Sequence, residues 1–223
     1  MNRIEIFFGW LKIILGLLVF SLGVHLTIRA DLGLAPWDCF GMGISRQTFL
    51  NYGLSMTAMS VIILVIDILM RERIGFGTII DALLTGNFVQ LFNDIDPFPD
   101  TANVFIGLLI IVSGLALMAA GQYFYMSSAQ GCGPRDALLV GLGKRLSRLP
   151  IGAVQIILWG TVLLIGWLLG GPVGIGTIVT TFGSGLVMQI VFTAIRFEPR
   201  AVEHRSAAET VVMLRGRTDC PFT

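Results

Sequence analysis

One segment of this chain occurs twice. Ala-Asp-Leu-Gly-Leu-Ala-Pro-Trp-Asp at 30–38 is echoed by Ser-Ala-Gln-Gly-Cys-Gly-Pro-Arg-Asp at 128–136, so Gly33, Pro36 and Asp38 fall on Gly131, Pro134 and Asp136, 98 positions later. The same offset carries Gly16 to Gly114 and Gly23 to Gly121. After one residue of slippage Gly53 meets Gly152, Gly-Phe-Gly-Thr-Ile at 75–79 meets Gly-Ile-Gly-Thr-Ile at 174–178, and Gln90 meets Gln189. Glycine and proline dictate backbone geometry, so a match carried mainly by them predicts two copies of one backbone. Inside a membrane protein, such a duplication is the usual trace of a transporter-like architecture.

The membrane setting follows from composition: 55% of residues are hydrophobic and 13% charged. A span needs roughly 20 mostly apolar residues to cross a ~30 Å hydrocarbon core. Residues 13–28, 54–70, 104–126, 151–169 and 177–195 qualify. A sixth stretch, 78–92, is interrupted by Asp81, Asn87 and Gln90, and it is included because its repeat partner at 177–195 can cross. With six spans and both termini inside, thirteen basic residues lie on the cytoplasmic side, and only Arg29 and Arg46 lie outside. That is the positive-inside bias. The outer loop at 93–101 carries Asp94, Asp96 and Asp100 instead.

Three spans per copy is an odd number, so the second copy must run opposite to the first, about an axis in the membrane plane. The expected fold is all-α and polytopic, with six transmembrane helices as two inverted three-helix repeats. The first occupies 7–96 and the second 103–197, followed by a polar cytoplasmic tail at 198–223 expected to be mobile. The first span, followed by Arg29 and Asp31, reads as a retained helix rather than a cleaved signal. Cys39, Cys132 and Cys220 are scattered and form no disulfide framework or metal motif.

Each Gly-x-x-Pro-x-Asp motif reads as a helix break at Gly33 or Gly131, then a short helix from Pro36 or Pro134. Aspartate in the first turn suits the positive end of that helix. Two arrangements satisfy the pattern: a connector lying flat at the interface, or a half-helix aimed at a substrate cavity. Asp38 and Asp136 accordingly serve either as capping groups or as gating ligands for a cation or proton.

Ionisable and amide groups inside spans are costly in lipid and face the bundle interior. The candidate substrate-binding set is therefore Asp81, Asn87 and Gln90 in the third span, with Thr180, Thr181, Ser184 and Gln189 in the sixth. Close packing of small residues, as at Gly183-Ser184-Gly185, is the competing explanation. In the fourth span Gln122, Tyr123 and Tyr125 are further cavity candidates. Asp67 reads as an interfacial partner of Arg71, one turn away. His25 reads as a hydrogen-bonded group, and the Gly16 and Gly23 stripe as a close helix contact, internal or between two copies. No hydrolase, nucleotide-binding or metal-ligand motif is present, so no enzyme, cofactor or metal is expected. Nothing in the charge pattern suggests nucleic acid.

The run Leu-Thr-Ile-Arg-Ala-Asp-Leu-Gly-Leu-Ala-Pro-Trp-Asp at 26–38, with Gly-Phe-Gly-Thr at 75–78, resembles the YczE/YyaS/YitT group of bacterial membrane proteins, its YczE-like branch in particular. The resemblance extends over roughly 7–197 and implies a multi-pass protein of the bacterial inner membrane. It supplies no ligand or catalytic residues. The residues themselves point to a small transporter or exporter of an unidentified solute, working by alternating access, with the bilayer as its surroundings and a homodimer compatible with its size. The alternatives are a non-transporting scaffold or accessory subunit, and the membrane substrate-binding subunit of an ATP-driven importer. A polar cavity between the third and sixth spans would favour transport.

Overall fold

Two long helices cross at the centre with their backbones in contact. The computed structural model describes residues 3–72, 74–96, 103–128, 131 and 133–197. Among these, α1 (Arg3–Arg29) packs along α5 (Val104–Met126) through glycines. A Cβ on Gly16 would lie 2.8 Å from the Gly121 carbonyl oxygen, and one on Gly23 would lie 2.5 Å from that of Gly114. Numbers rise along α1 as they fall along α5, so the helices run antiparallel. With no Cβ on either side, the backbones approach closely enough for dispersion to hold them in lipid, where burial of apolar surface gives no drive. The stripe at Gly16 and Gly23 is thus used within the chain.

The remaining elements are α2 (Pro36–Gln47), α3 (Tyr52–Leu69), α4 (Phe76–Ile95), α6 (Pro134–Arg145), α7 (Ile151–Leu168) and α8 (Ile175–Ala194); no strand occurs among the described residues. By length and composition α1, α3, α5, α7 and α8 can each cross a membrane. Helix α4 is 20 residues long but too polar to count with them on composition alone. The chain is a multi-pass helical membrane protein.

Proline opens both short helices: Pro36 begins α2 after Gly33 at φ +104°, and Pro134 begins α6 after Gly131 at φ +117°. Each glycine presses on the start of the last helix of the other half. A Cβ on Gly33 would meet the Thr177 hydroxyl at 2.7 Å, and one on Gly131 would meet the Thr78 hydroxyl at 2.7 Å. Those threonines also take the amides of Gly174 and Gly75, at 3.2 and 3.4 Å, which ties down the first turns of α8 and α4. Both the left-handed φ and the close approach require glycine at 33 and 131.

The two halves differ in how their last two helices meet. Helices α3 and α4 pack directly on each other, whereas α7 and α8 make no contact of that extent among the described residues. Asp67, read above as an ion-pair partner of Arg71, is fully buried, and neither of its carboxylate oxygens has a hydrogen-bond partner among the described residues. Arg71 is exposed and leaves the helix with φ +58°, which turns it away from the partner geometry that continued helix would provide. The tail at 198–223, Asp100, Cys132 and Cys220 lie outside the described residues.

Candidate functional site

The two short helices bring their N-terminal ends to one cavity of about 430 Å³. Pro36, Trp37 and Asp38 come from α2, Pro134, Arg135 and Asp136 from α6, and Asp81 and Thr85 from α4. Thr180, Thr181, Ser184 and Met188 of α8 complete one wall, Gln122 and Tyr125 of α5 another, and Gln155 and Trp159 of α7 a third. Because Pro36, Trp37, Asp38, Cys39 and Gly41 are buried, α2 does not lie flat on the surface. The first turns of α2 and α6 open on the cavity, as a half-helix arrangement would have them.

Around the α6 end the charges converge on one glycine. A Cβ on Gly133 would stand 2.8 Å from Asp81 Oδ2, 3.5 Å from the Tyr125 hydroxyl and 3.7 Å from Asp136 Oδ2. The missing side chain leaves two carboxylates and a phenol facing a shared space, and the Gly133 amide donates to the phenol oxygen at 3.3 Å. The other Asp81 oxygen accepts from the Thr85 hydroxyl. At the α2 end Asp38 is held by the Tyr52 hydroxyl at 3.1 Å. Asp38 and Asp136 both sit in first turns, where the macrodipole stabilises a negative charge.

The cation among these acids is Arg135. Its guanidinium lies over the Trp37 ring, 5.5 Å from the centroid, with a nitrogen 4.0 Å from Met56 sulfur. Its charge acts on Asp38, Asp81 and Asp136 alike, but no salt bridge joins it to any of them among the described residues. Three carboxylates thus share one guanidinium around the cavity, Asp38 buried, Asp81 half-buried and Asp136 exposed, and a cation or protons would balance the excess negative charge. The sequence count had put Arg135 among the aqueous cytoplasmic charges. The first turn of α6 places it in the cavity wall.

Of the candidate residues, Asp81, Thr180, Thr181 and Ser184 line the cavity, as do Pro36, Asp38, Pro134 and Asp136. Thr180 is turned inward, donating to the Gly176 and Thr177 carbonyls at 2.8 and 3.1 Å, while the Thr181 hydroxyl, buried at the wall, has no partner among the described residues. Asn87, Gln90 and Gln189 stand apart from the lining. Asn87 is exposed and bonds back to the Leu83 carbonyl at 2.6 Å, and Gln90 is engaged with α3. Gly33 and Gly131 act one layer out, against the starts of α8 and α4. Gln122 and Tyr125 line the cavity, but Tyr123 packs on Phe124 and Phe197 instead. His25, fully buried, shares a hydrogen bond of 2.7 Å with Asn93. Arg135, Gln155 and Trp159 were missed from sequence. For Arg135 a signal existed, since it occupies the place of Trp37 in a motif that starts a buried helix.

A helical bundle that gathers several charges around a cavity between its apolar spans is a polytopic membrane protein with a charged chamber. The chain belongs to the family of unknown function DUF6198, which it matches over residues 7–193. It is 32% identical over 215 residues to the uncharacterized membrane protein YczE of Bacillus subtilis strain 168, a match covering 92% of this chain and 95% of that protein. An uncharacterized protein of Haemophilus influenzae is 31% identical over 82% of this chain and 83% of its own length. The uncharacterized protein YyaS of Bacillus subtilis is 29% identical over 79% and 88%. No solved structure matches the chain.

Proposed function

We propose that this protein is a small transporter of the bacterial inner membrane, built as two inverted repeats that move a solute through the central cavity by alternating access. The observation that carries this reading is the cavity of about 430 Å³, with Asp38, Asp81, Asp136 and Arg135 in its wall, inside the membrane-spanning bundle. Charge at membrane depth is expensive and marks ion or substrate pathways. A scaffold has no use for such a chamber.

Several contacts support the inverted arrangement. Trp37 and Arg135 hold equivalent places in the two motifs and touch each other, so a pseudo-two-fold axis would pass between them. The antiparallel contacts of Gly16 with Gly121 and Gly23 with Gly114, and the mirrored seats of Gly33 and Gly131, obey the same operation. Helix α4 is the sixth span in this reading. At ~1.5 Å per residue it is long enough to cross, it packs on α1 and α3, and its polar groups are met by protein. The Thr85 carbonyl accepts from Ser21, and Asn93 meets His25.

The lining suits a solute with a cationic head and an apolar body. Asp81 and Asp136 would hold the head, while Phe20, Trp159, Met118 and Met188 surround the rest. With no ATP-binding motif in the sequence, an ion gradient or the solute's own gradient would drive movement. Proteoliposomes holding the purified protein should take up members of a panel of lipophilic amines faster than empty vesicles. No difference across amines, amino acids and organic anions would end the transport reading.

Orientation is tested separately. A cysteine at Asp96 should react with an impermeant thiol reagent from outside intact cells, and one at Arg145 only from the cytoplasmic face. Labelling of both from one side would contradict inverted repeats with cytoplasmic termini.

A further inference from the structure

Gln90 and Gln189 are paired by the repeat, yet neither reaches the cavity. Their setting assigns them another task. In the first half Gly53 and Gly86 face each other across α3 and α4: a Cβ on Gly53 would lie 2.7 Å from the Gly86 carbonyl oxygen, and one on Gly86 would lie 2.6 Å from that of Gly53. Gln90 closes over this contact, its Oε1 accepting from the Gly53 amide at 3.1 Å. That amide is a first-turn donor of α3, which the helix itself cannot satisfy. The glutamine thus clasps the start of α3 to α4.

The second half carries the same three residues 99 positions on, at Gly152, Gly185 and Gln189. There the contact is absent. Gly152 and Gly185 are exposed with nothing within 4 Å of a built Cβ, and Gln189 is exposed. The Gly152 amide, the corresponding first-turn donor of α7, has no partner among the described residues. Helices α7 and α8 are joined by a short connection at the far end, between Leu168 and Ile175, and separate toward Gly152. Gln155 and Trp159 of α7, with Ser184, Gly185 and Met188 of α8, line the cavity along that separation.

We propose that α7 and α8 form a gate on the cytoplasmic side, and that Gln189 is its latch, closing on the Gly152 amide when Gly152 meets Gly185. The structure is the state open at this gate and clasped at Gly53–Gly86; the opposite state exchanges the two arrangements. This inference rests on the transport reading, and it gives the second glycine pair and its glutamine a use that the open state lacks.

The test is cross-linking between cysteine pairs at equivalent places. Thr57 lies beside Asn87, with 3.5 Å between hydroxyl and amide, and their repeat counterparts are Ile156 and Leu186. In a chain with Cys39, Cys132 and Cys220 changed to alanine, T57C/N87C and I156C/L186C are treated in membranes with a short thiol-to-thiol reagent. Both pairs should link within one chain. Gln189→Leu should lower the 156–186 link and raise the 57–87 link, and Gln90→Leu should do the reverse. The ratio should move about five-fold each way, the effect of losing one neutral hydrogen bond. Glutamines with only a structural role would lower one link without raising the other, and that result overturns the proposal. So does a 156–186 link that never forms, or one that joins two chains, which would place a second copy over these glycines. Solute uptake without a 156–186 link removes the gate and leaves transport; both links exchanging without uptake of any solute removes transport and leaves the gate.

Discussion

Asp81→Asn is expected to lower solute uptake about ten- to a hundred-fold, the range for losing a hydrogen bond to a charged group, while the amount of folded protein in the membrane stays unchanged. The side chain keeps its shape and can still accept from Thr85. What disappears is the negative charge that faces Asp136 beside Gly133. Asp81 is also the acid that lies outside the first turn of any helix, so no macrodipole end offsets it as one does for Asp38 and Asp136. Thr180→Val, at the equivalent place in the second half, should have a much smaller effect, because that hydroxyl already bonds to its own helix. Radiolabelled amine uptake by the two variants in matched proteoliposomes checks the contrast; equal loss in both would place the effect in packing rather than charge.

Gly121→Leu should remove the folded protein altogether. A Cβ there would stand 2.5 Å from both the Gly16 carbonyl oxygen and the Phe20 amide nitrogen. Those are backbone atoms of α1, so relief requires the two central helices to part. Overpacking in a core that can shift costs about 1–3 kcal/mol. This crossing cannot shift without disturbing the Gly23–Gly114 contact as well, so the effect should lie above that range. Gly160→Ala is the control, since nothing lies within 4 Å of a Cβ there. It should be neutral or stabilising by up to about 1 kcal/mol, the difference in helix propensity. Detergent-solubilised yield and thermal aggregation temperature read both. Normal yield of Gly121→Leu would mean that α1 and α5 do not cross as described.

Much of the architecture was legible because the repeat is written in glycine and proline. Gly33, Pro36, Gly131 and Pro134 mark the breaks and starts of the short helices, and Gly16 and Gly23 mark the central crossing. These residues act through backbone geometry, which is local and therefore readable. Where the short helices point was not readable. A first turn of Pro-Trp-Asp suits a surface or a cavity equally, and only the packing of the other half against Gly33 and Gly131 decides it.

The site divides along the same line. Asp81, Thr180, Thr181 and Ser184 were found because polar groups in a span must face inward. Gln90 also faces protein, but what it meets is a helix start rather than a chamber, while Gln189 is exposed. Periodicity cannot separate a helix start from a chamber, because both face the inner side of a helix. Asp67 misled for a different reason: spacing suggested a helical ion pair with Arg71, but the chain leaves helical geometry at Arg71 itself. Arg135 was hidden by charge counting, which treats every basic residue near a span end as solvated.

The central claim is that one chamber communicates with the two sides of the membrane in turn. A single cysteine at Gln122, in the cavity wall on α5, tests it most directly in the chain with Cys39, Cys132 and Cys220 changed to alanine. An impermeant thiol reagent should modify it quickly in inside-out vesicles and more slowly, but to completion, in right-side-out vesicles, with Gln90→Leu speeding the second reaction. Modification from one side alone, or from neither, would contradict the account.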